Sequence, residues 1–439
     1  MNSDVAKTLN YIKKNGPVKT YYAIRERLED RKQPYEYIPI SEEQRLIQIS
    51  DSLSMDVSFS ILVPAYETNP QFMREMIDSV RLQTYSKWQL VIADASESNL
   101  VKDVVDTYSD QRIVYVRLNK NLGISGNSNA GLEYLEGDYT GLLDHDDILT
   151  QDALFEMAKT ITKAREKGIS LKMVYSDEDK SNGDGTAFSQ PNIKPKFNLD
   201  LILSNNYICH FLVIETGLLK ETGFDDNYDG AQDHNLVLSV IASILDRGSQ
   251  PNEFIAHTDK VLYHWRCHDE STAANPKSKL YAYQAGKRAV ENFLSRVKFN
   301  ANVTDLPHMG FFYVNYEPDI FSVRPNVIAR CGRIIHKGKV VGGIYDENRK
   351  MMFEGCSVHS SGGYLHRAAC QMEVLYADIS ALDLSKTGQE KLDNFLKSHS
   401  EQNRGIDDNM ARNLSFEFCE LMRSEGYTFS YDPALVFKV

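Results

Sequence analysis

The sequence holds no run of about 18 consecutive apolar residues, the length a membrane-spanning helix needs, so nothing in its 439 residues reads as a transmembrane segment. Paired cysteines are missing too. Cys209, Cys267, Cys331, Cys356, Cys370 and Cys419 form no C-x-x-C pair and no zinc spacing, and they read as reduced thiols. Positive charge is scarce: 49 Lys and Arg stand against 61 Asp and Glu, a net charge of −12. That balance argues against a nucleic-acid binder, because backbone phosphates call for a basic surface. The opening residues MNSDVAKTLNYIKKNG carry no apolar core of a secretion signal, and a cytoplasmic location is expected. No glycine fingerprint of a dinucleotide site follows the first apolar strand, which sets aside an oxidoreductase reading.

What is present is an ordinary globular composition, 42% hydrophobic and 25% charged, at a length that suggests more than one core. Residues 1–56 are polar and read as a helical arm. From Phe59 the pattern alternates between strand and helix. FSILVP and WQLVIAD are apolar runs of strand length, and RIVYVRL and YTGLLD follow. Between the first two, Asn69 and Pro70 predict a helix start, with Phe72, Met73, Met76, Ile77 and Val80 on one face. Alternating apolar strands and helices predict an α/β domain, a mostly parallel sheet covered on both faces. Such sheets bind ligands at the carboxyl ends of their strands. The chain beyond about residue 301 reads as a separate β-rich, then helical, region.

Several residues at strand ends carry chemistry. Asp144, Asp146 and Asp147 lie within four residues directly after an apolar strand. Crowded carboxylates raise one another's pKa, and a divalent cation with a taste for oxygen, Mg2+ or Mn2+, relieves that conflict; a solvated acidic turn is the plain alternative. Asp94 ends WQLVIAD, where it either caps a turn or accepts hydrogen bonds from a ligand base. Asn121 and Gly123 belong to NLGISGN, a loop able to bring backbone amides to an anion. Asp233 sits where a helix cap would sit, or serves as a proton acceptor in a site. Around Trp265, His264 and His268 are suited to a metal or diphosphate, and Arg266 to phosphate.

In order and spacing, ILVPAYE, SVRLQTYSKWQLVIADAS, NLGISGNSNAGLE, GDYTGLLDHDDIL, VYSDEDK, NNYICHFLVIE, GAQDHNLVL and VLYHWRCHDESTA resemble glycosyltransferase family 2, the inverting enzymes with a GT-A fold. The resemblance covers residues 57–300. It implies a Rossmann-like GT-A domain there, with 301–439 a smaller α+β accessory domain that looks like the closing half of a second such domain. It also implies roles. Pro64, Tyr66 and Asp94 match positions that hold the nucleoside, with Asn121 and Gly123 near the donor. Asp144 and Asp146 match the D-x-D signature that binds ribose and metal, with His264 a further metal ligand. Asp233 matches the catalytic base, with Gln232 where Glu is usual. Arg266, beside His264 and His268, matches the loop over the donor phosphates. Asp177, Glu178 and His268 are candidate acceptor contacts, the first two on an acidic loop.

The expected activity is transfer of a sugar from a UDP- or dTDP-sugar, with Mn2+ or Mg2+, to a hydroxyl of a cell-surface glycan precursor. A lipid-linked acceptor would bring the protein to the inner face of the membrane as a peripheral partner, and the accessory domain suits a homodimer. The competing readings are a catalytically inactive family member serving as a scaffold, and a nucleotidyltransferase, which would release pyrophosphate.

Overall fold

A capping box opens the first regular element. Ser41 accepts from Gln44 N at 3.2 Å, the Gln44 side chain accepts from Ser41 N at 2.8 Å, and helix α1 (Glu42–Ser52) follows. Strand β1 (Phe59–Ala65) is the first apolar run. Next come α2 (Pro70–Arg81), β2 (Trp88–Asp94), α3 (Leu100–Val105), β3 (Ile113–Arg117), α4 (Gly123–Leu132), β4 (Tyr139–Leu142), a two-residue strand β5 (Ile148–Leu149) and α5 (Ala153–Glu166). The Asn69 side chain accepts from Gln71 N at 2.9 Å, and Pro70 takes the first helical position, as the sequence predicts. The computed structural model describes residues 35–267, 280–363, 365–399 and 408–439, with short pieces between 12 and 25. Most of residues 1–34 of the expected N-terminal arm, and His268, lie outside the described residues.

The chain forms two compact units. One comprises residues 35–197 and 207–297; the other comprises 298–439, 198–206 and the first 34 residues. This division differs from the sequence reading in two places. Residues 35–56 join the larger unit, and a short internal segment leaves it.

The larger unit continues through β6 (Met173–Ser181), β7 (Phe188–Asn192), β8 (Leu212–Glu215), α6 (Thr216–Thr222), α7 (Gln232–Asp246), β9 (Ile255–Arg266) and α8 (Leu280–Arg296). Its sheet has the order β3-β2-β1-β4-β8-β6-β9-β5, with β7 on the edge of β6. β1, β2, β3 and β4 run parallel; β8 is antiparallel to both β4 and β6, and β6 is parallel to β9. Register places Ala65 beside Asp94 and Leu62 beside Leu142. The chain segments bearing Tyr66, Asp94 and Asp144 therefore leave the sheet at one edge, where parallel sheets hold ligands.

The two faces of β1 divide the packing. Phe59, Ile61 and Val63 join a core with Met73, Met76, Ile77 and Val80 of α2 and Leu154, Met157 and Ile161 of α5. The four α2 side chains have no exposed surface, and burying each contributes about 1.5–3 kcal/mol. Leu62 faces the other way, onto α4. There a side chain at Gly131 would come within 2.5 Å of Leu62 Cδ1 and 3.4 Å of Ala93 Cβ, so glycine permits the close approach of helix and sheet.

The smaller unit pairs β10 (Ala301–Asp305) with β11 (Phe312–Tyr316), and is built on β12 (Val327–His336) and β18 (Thr428–Lys438), which pair in parallel. β13 (Lys339–Gly342) and β17 (Leu382–Leu384) flank β12, β15 (Met372–Val374) flanks β18, and β14 (Ile344–Tyr345) pairs with β16 (Tyr376–Ala377). Helices Lys386–Ser398 and Asp408–Ser424 complete it. Helix Leu199–Ser204 belongs here because its Asp200 is a buried anchor. Asp200 pairs with Arg324 and accepts from Ser430 Oγ at 2.6 Å, and Arg324 also holds Glu373 at 2.8 Å.

Candidate active site

The turn after β4 gathers the acidic residues. Asp147 is 1% exposed. It accepts from the Tyr263 hydroxyl at 2.5 Å and from Arg266 N at 2.7 Å, both on β9. Burial, then Asp146 and Asp144, pushes its carboxyl well above the usual range. Asp144 is less sequestered, with 48% of its side chain open. Loss of hydration raises its pKa, His210 opposes that rise, and Asp146 and Asp233 add to it.

His210, just before β8, brings an imidazole to these carboxylates. Asp144, Asp147 and His210 each offer a ligand atom, all within 4.8 Å of one another. The ring stacks on Tyr263 at 4.6 Å and 13°. Its Nε2 lies 3.8 Å from Asp144 Oδ2, and its Nδ1 lies 3.3 Å from Glu178 Oε2. Nδ1 makes no hydrogen bond among the described residues; Glu178 Oε2 accepts instead from the backbone N of His210 at 3.2 Å. Glu178 thus fixes the chain at His210 and sets a carboxylate beside the ring. Burial alone would raise its pKa, but the Lys194 ammonium and His210 hold it at about 2. Lys194 in turn is fixed by Glu178, by the Ile208 carbonyl at 2.8 Å and by the His210 carbonyl.

Asp233 completes the group from the first turn of α7. It is not the helix cap: that position is Ala231, which makes no side-chain cap bond. The Cys209 thiol donates to Asp233 Oδ2 at 3.1 Å. A buried carboxylate, a half-open one, an adjoining imidazole and a separate carboxylate thus stand at the carboxyl ends of the strands. Residues 60–223, which span β1 to β8, match the sequence profile of the family described as Glycosyl transferase family 2.

The chain carries a glycosyltransferase family 2 domain. Relatives match part of the chain. A protein of Sinorhizobium fredii called y4gI, itself uncharacterized, is 38% identical over 57% of this chain and 27% of its own length. The O-antigen biosynthesis protein RfbC of Myxococcus xanthus is 30% identical over 57% of this chain and 19% of its own. The hyaluronan synthase of Pasteurella multocida is 26% identical over 55% and 23%. The chain therefore matches only about a quarter, or less, of the length of these relatives.

Within the glycosyltransferase domain several expected roles change. His264 is not in the acidic group. Its Nδ1 lies 2.6 Å from Asp179 Oδ1, and its ring packs on Phe188 at 4.1 Å and Tyr37 at 4.5 Å. His210, not His264, lies with Asp144 and Asp147, their ligand atoms within 4.8 Å of one another. The Asp146 carboxylate also lies outside the three-ligand group, although its backbone carbonyl holds Arg266 Nε at 2.6 Å. Asp177 and Glu178 are not on an acidic loop but on strand β6, where both are buried. Asp177 accepts from Lys194 N and faces His257 Nε2, each at 2.8 Å. It is an internal strut rather than an acceptor contact, and Glu178 supports His210.

Arg266 changes most. It is fully buried, donates to the carbonyls of Asp146 and Gly183, and pairs with Glu75 at 2.6 Å while lying over the Phe72 ring. It braces the acidic turn from beneath and does not present its guanidinium to a diphosphate. Arg266→Met is expected to lower the unfolding free energy by about 3 kcal/mol, the scale of a broken buried ion pair with its hydrogen bonds. Urea denaturation measures this; a change under about 1 kcal/mol, typical of an exposed pair, would contradict the bracing role.

The residues expected to hold the nucleoside differ in how far the fold engages them. Pro64 is half-buried in β1, and Tyr66 is exposed after it. Asp94 is fully buried: one oxygen accepts from Ser96 N and Oγ, the other from the Tyr115 hydroxyl and Arg117. Those contacts fill its acceptor positions. Gly123 has φ +79°, and a side chain there would meet Asp229 Oδ2 at 2.5 Å. Asp229 also accepts from Ser125 N at 3.3 Å, so the expected anion cradle of α4 is filled by a carboxylate of the domain itself. Asn121 accepts from Gly123 N and Asn127 Nδ2, each at 3.0 Å, and shapes that loop.

Proposed function

We propose that this chain is an inverting glycosyltransferase that moves a sugar from a UDP- or dTDP-linked donor to a hydroxyl of a cell-surface glycan precursor. The observation that carries the reading is the group of Asp144, Asp147 and His210 next to Asp233, at the strand ends of a family 2 domain. The donor set fits a divalent cation: two carboxylates whose pKa values are raised by lost hydration and mutual repulsion, and one imidazole on a backbone position that Glu178 fixes. An imidazole among oxygen donors suits Mn2+ better than the strictly oxygen-seeking Mg2+. When bound, such a cation supplies positive charge against a leaving nucleoside diphosphate.

The chain's own residues perform the remaining tasks. Pro64 and Tyr66 flank the nucleoside, and Asp94 meets the base by exchanging its bond to Arg117. Asp144 contributes to ribose binding through its open edge. Asp233 accepts the proton of the acceptor hydroxyl as that oxygen attacks the anomeric carbon from the face opposite the diphosphate. Arg266, through the carbonyl of Asp146, keeps the acidic turn in place.

The name of the RfbC relative supports a surface polysaccharide as product. Among the described residues no helix is long and apolar enough to cross a membrane, so a lipid-linked acceptor would be met by peripheral contact at the inner membrane face.

A thermal-shift panel of UDP, dTDP, GDP and CDP, each with and without Mn2+ or Mg2+, tests the reading. UDP or dTDP with Mn2+ is expected to stabilise the protein by about 2.7 kcal/mol at a hundredfold excess over Kd. No shift with any nucleotide would favour the inactive scaffold instead.

A further inference from the structure

The smaller unit contains a cavity of about 270 Å³ whose polar lining is His308, Tyr313, Arg333, His359, Ser360 and Ser361. Among the described residues no acidic side chain lines it. Arg333 is 5% exposed, and its Nη2 reaches the Pro433 carbonyl at 3.3 Å. Its Nε and Nη1 have no hydrogen-bond partner, and among the described residues no carboxylate lies at ion-pair distance.

Two other arginines of this unit are answered by carboxylates. Arg324 has Asp200 and Glu373; Arg330, on the same strand, has Asp383 and Asp432. Asp432 is the neighbour that would be expected to serve Arg333, but its oxygens are taken by the Tyr313 hydroxyl and Ala434 N, each at 2.9 Å, and by Arg330. A guanidinium does not shed its proton, and a charge buried without a partner is strongly unfavourable. The pairing of β12 with β18 slips between Cys331 and Arg333, and irregularities of this kind re-aim a side chain. The backbone is thus shaped to send a permanent cation into a cavity that provides no anion of its own.

We infer that this cavity binds an oxyanion, the phosphate or carboxylate group of a polar ligand, with Arg333 as its counter-charge and the hydroxyl and imidazole groups of the lining as further hydrogen-bonding partners. The site lies wholly within the smaller unit and shares no residue with the acidic group, so it does not depend on the proposed transfer reaction.

Calorimetric titration of the full chain in EDTA, which removes cation-dependent binding at the acidic group, tests it with inorganic phosphate, glucose 1-phosphate, glucuronate and neutral glucose. Saturable binding of at least one anion is expected, with no comparable binding of glucose. Preference among the anions then says whether phosphate or carboxylate is the natural group. Arg333→Gln should weaken binding about tenfold or more, the loss expected for a hydrogen-bonding partner that carries charge. His359→Glu, at an exposed lining position, sets a like charge against the ligand and should weaken binding too. It decides the question should Arg333→Gln fail to fold. Absence of anion binding in the wild type, equal binding of glucose, or unchanged binding in the folded variants overturns the assignment.

Discussion

Asp233→Asn is expected to bind nucleotide sugar as the wild type does and to transfer the sugar about 10²–10⁴-fold more slowly, the range over which a positioned proton acceptor acts. The fold gives no reason for a stability loss. Ala231, not Asp233, is the cap of α7, so no cap is removed. The amide oxygen of asparagine can still accept from the Cys209 thiol, now 3.1 Å from the carboxylate. What disappears is the basic lone pair and one negative charge near Asp144, whose pKa Asp233 helps to raise. Donor affinity by calorimetry and nucleoside diphosphate release by a coupled assay separate the two effects. Release within about twofold of wild type would remove Asp233 as the proton acceptor, since a base that matters is worth far more.

His210→Ala is the second large effect. It removes the one nitrogen donor of the group, and Mn2+ affinity should fall by about a hundredfold or more, at or beyond the upper end of what losing a supporting residue costs. Glu178 keeps Lys194 and Asn192 as partners, so β6 stays anchored. The contrasting variant is His264→Phe. That ring packs between Phe188 and Tyr37 against Asp179, so its loss should lower stability and leave Mn2+ affinity unchanged. The reverse pattern would restore His264 to the metal site and remove His210.

The contrast between these histidines shows what the sequence could reveal. β1, α2 and β2 are legible almost to the residue, because apolar runs, an Asn cap and a proline are local signals. The acidic turn is legible for the same reason: three carboxylates after an apolar strand need no tertiary information. β6 is not. SDEDK reads as a loop, yet Asp177, Glu178 and Asp179 are buried in a strand. Each charge is answered from elsewhere in the chain, by His257, by Lys194 and by His264 and Tyr35. Nothing local announces such pairings, and the polarity pattern of a buried strand is lost with them. His210 was missed similarly. It lies inside the apolar stretch YICHFLVI, and the β8 pairing with β4 and β6 brings it to the turn. Arg266 has the opposite fault: it carries the right chemistry for phosphate but is consumed by the fold. The passage of helix Leu199–Ser204 into the smaller unit rests on long-range contacts, Asp200 with Arg324 and Ser430 and Ser204 with Gln371, which no periodicity foretells.

The central claim is that Asp144, Asp147 and His210 hold a divalent cation for a nucleoside diphosphate. Electron paramagnetic resonance of Mn2+ titrated into the full chain, with and without UDP or dTDP, tests it directly, because the free aqueous ion alone gives the sharp spectrum. The account predicts that the free-ion signal is suppressed to about one ion per chain, more tightly with nucleotide present, and that His210→Ala abolishes the suppression while His264→Phe preserves it. A free-ion signal that tracks added Mn2+ in the wild type, with or without nucleotide, would contradict it.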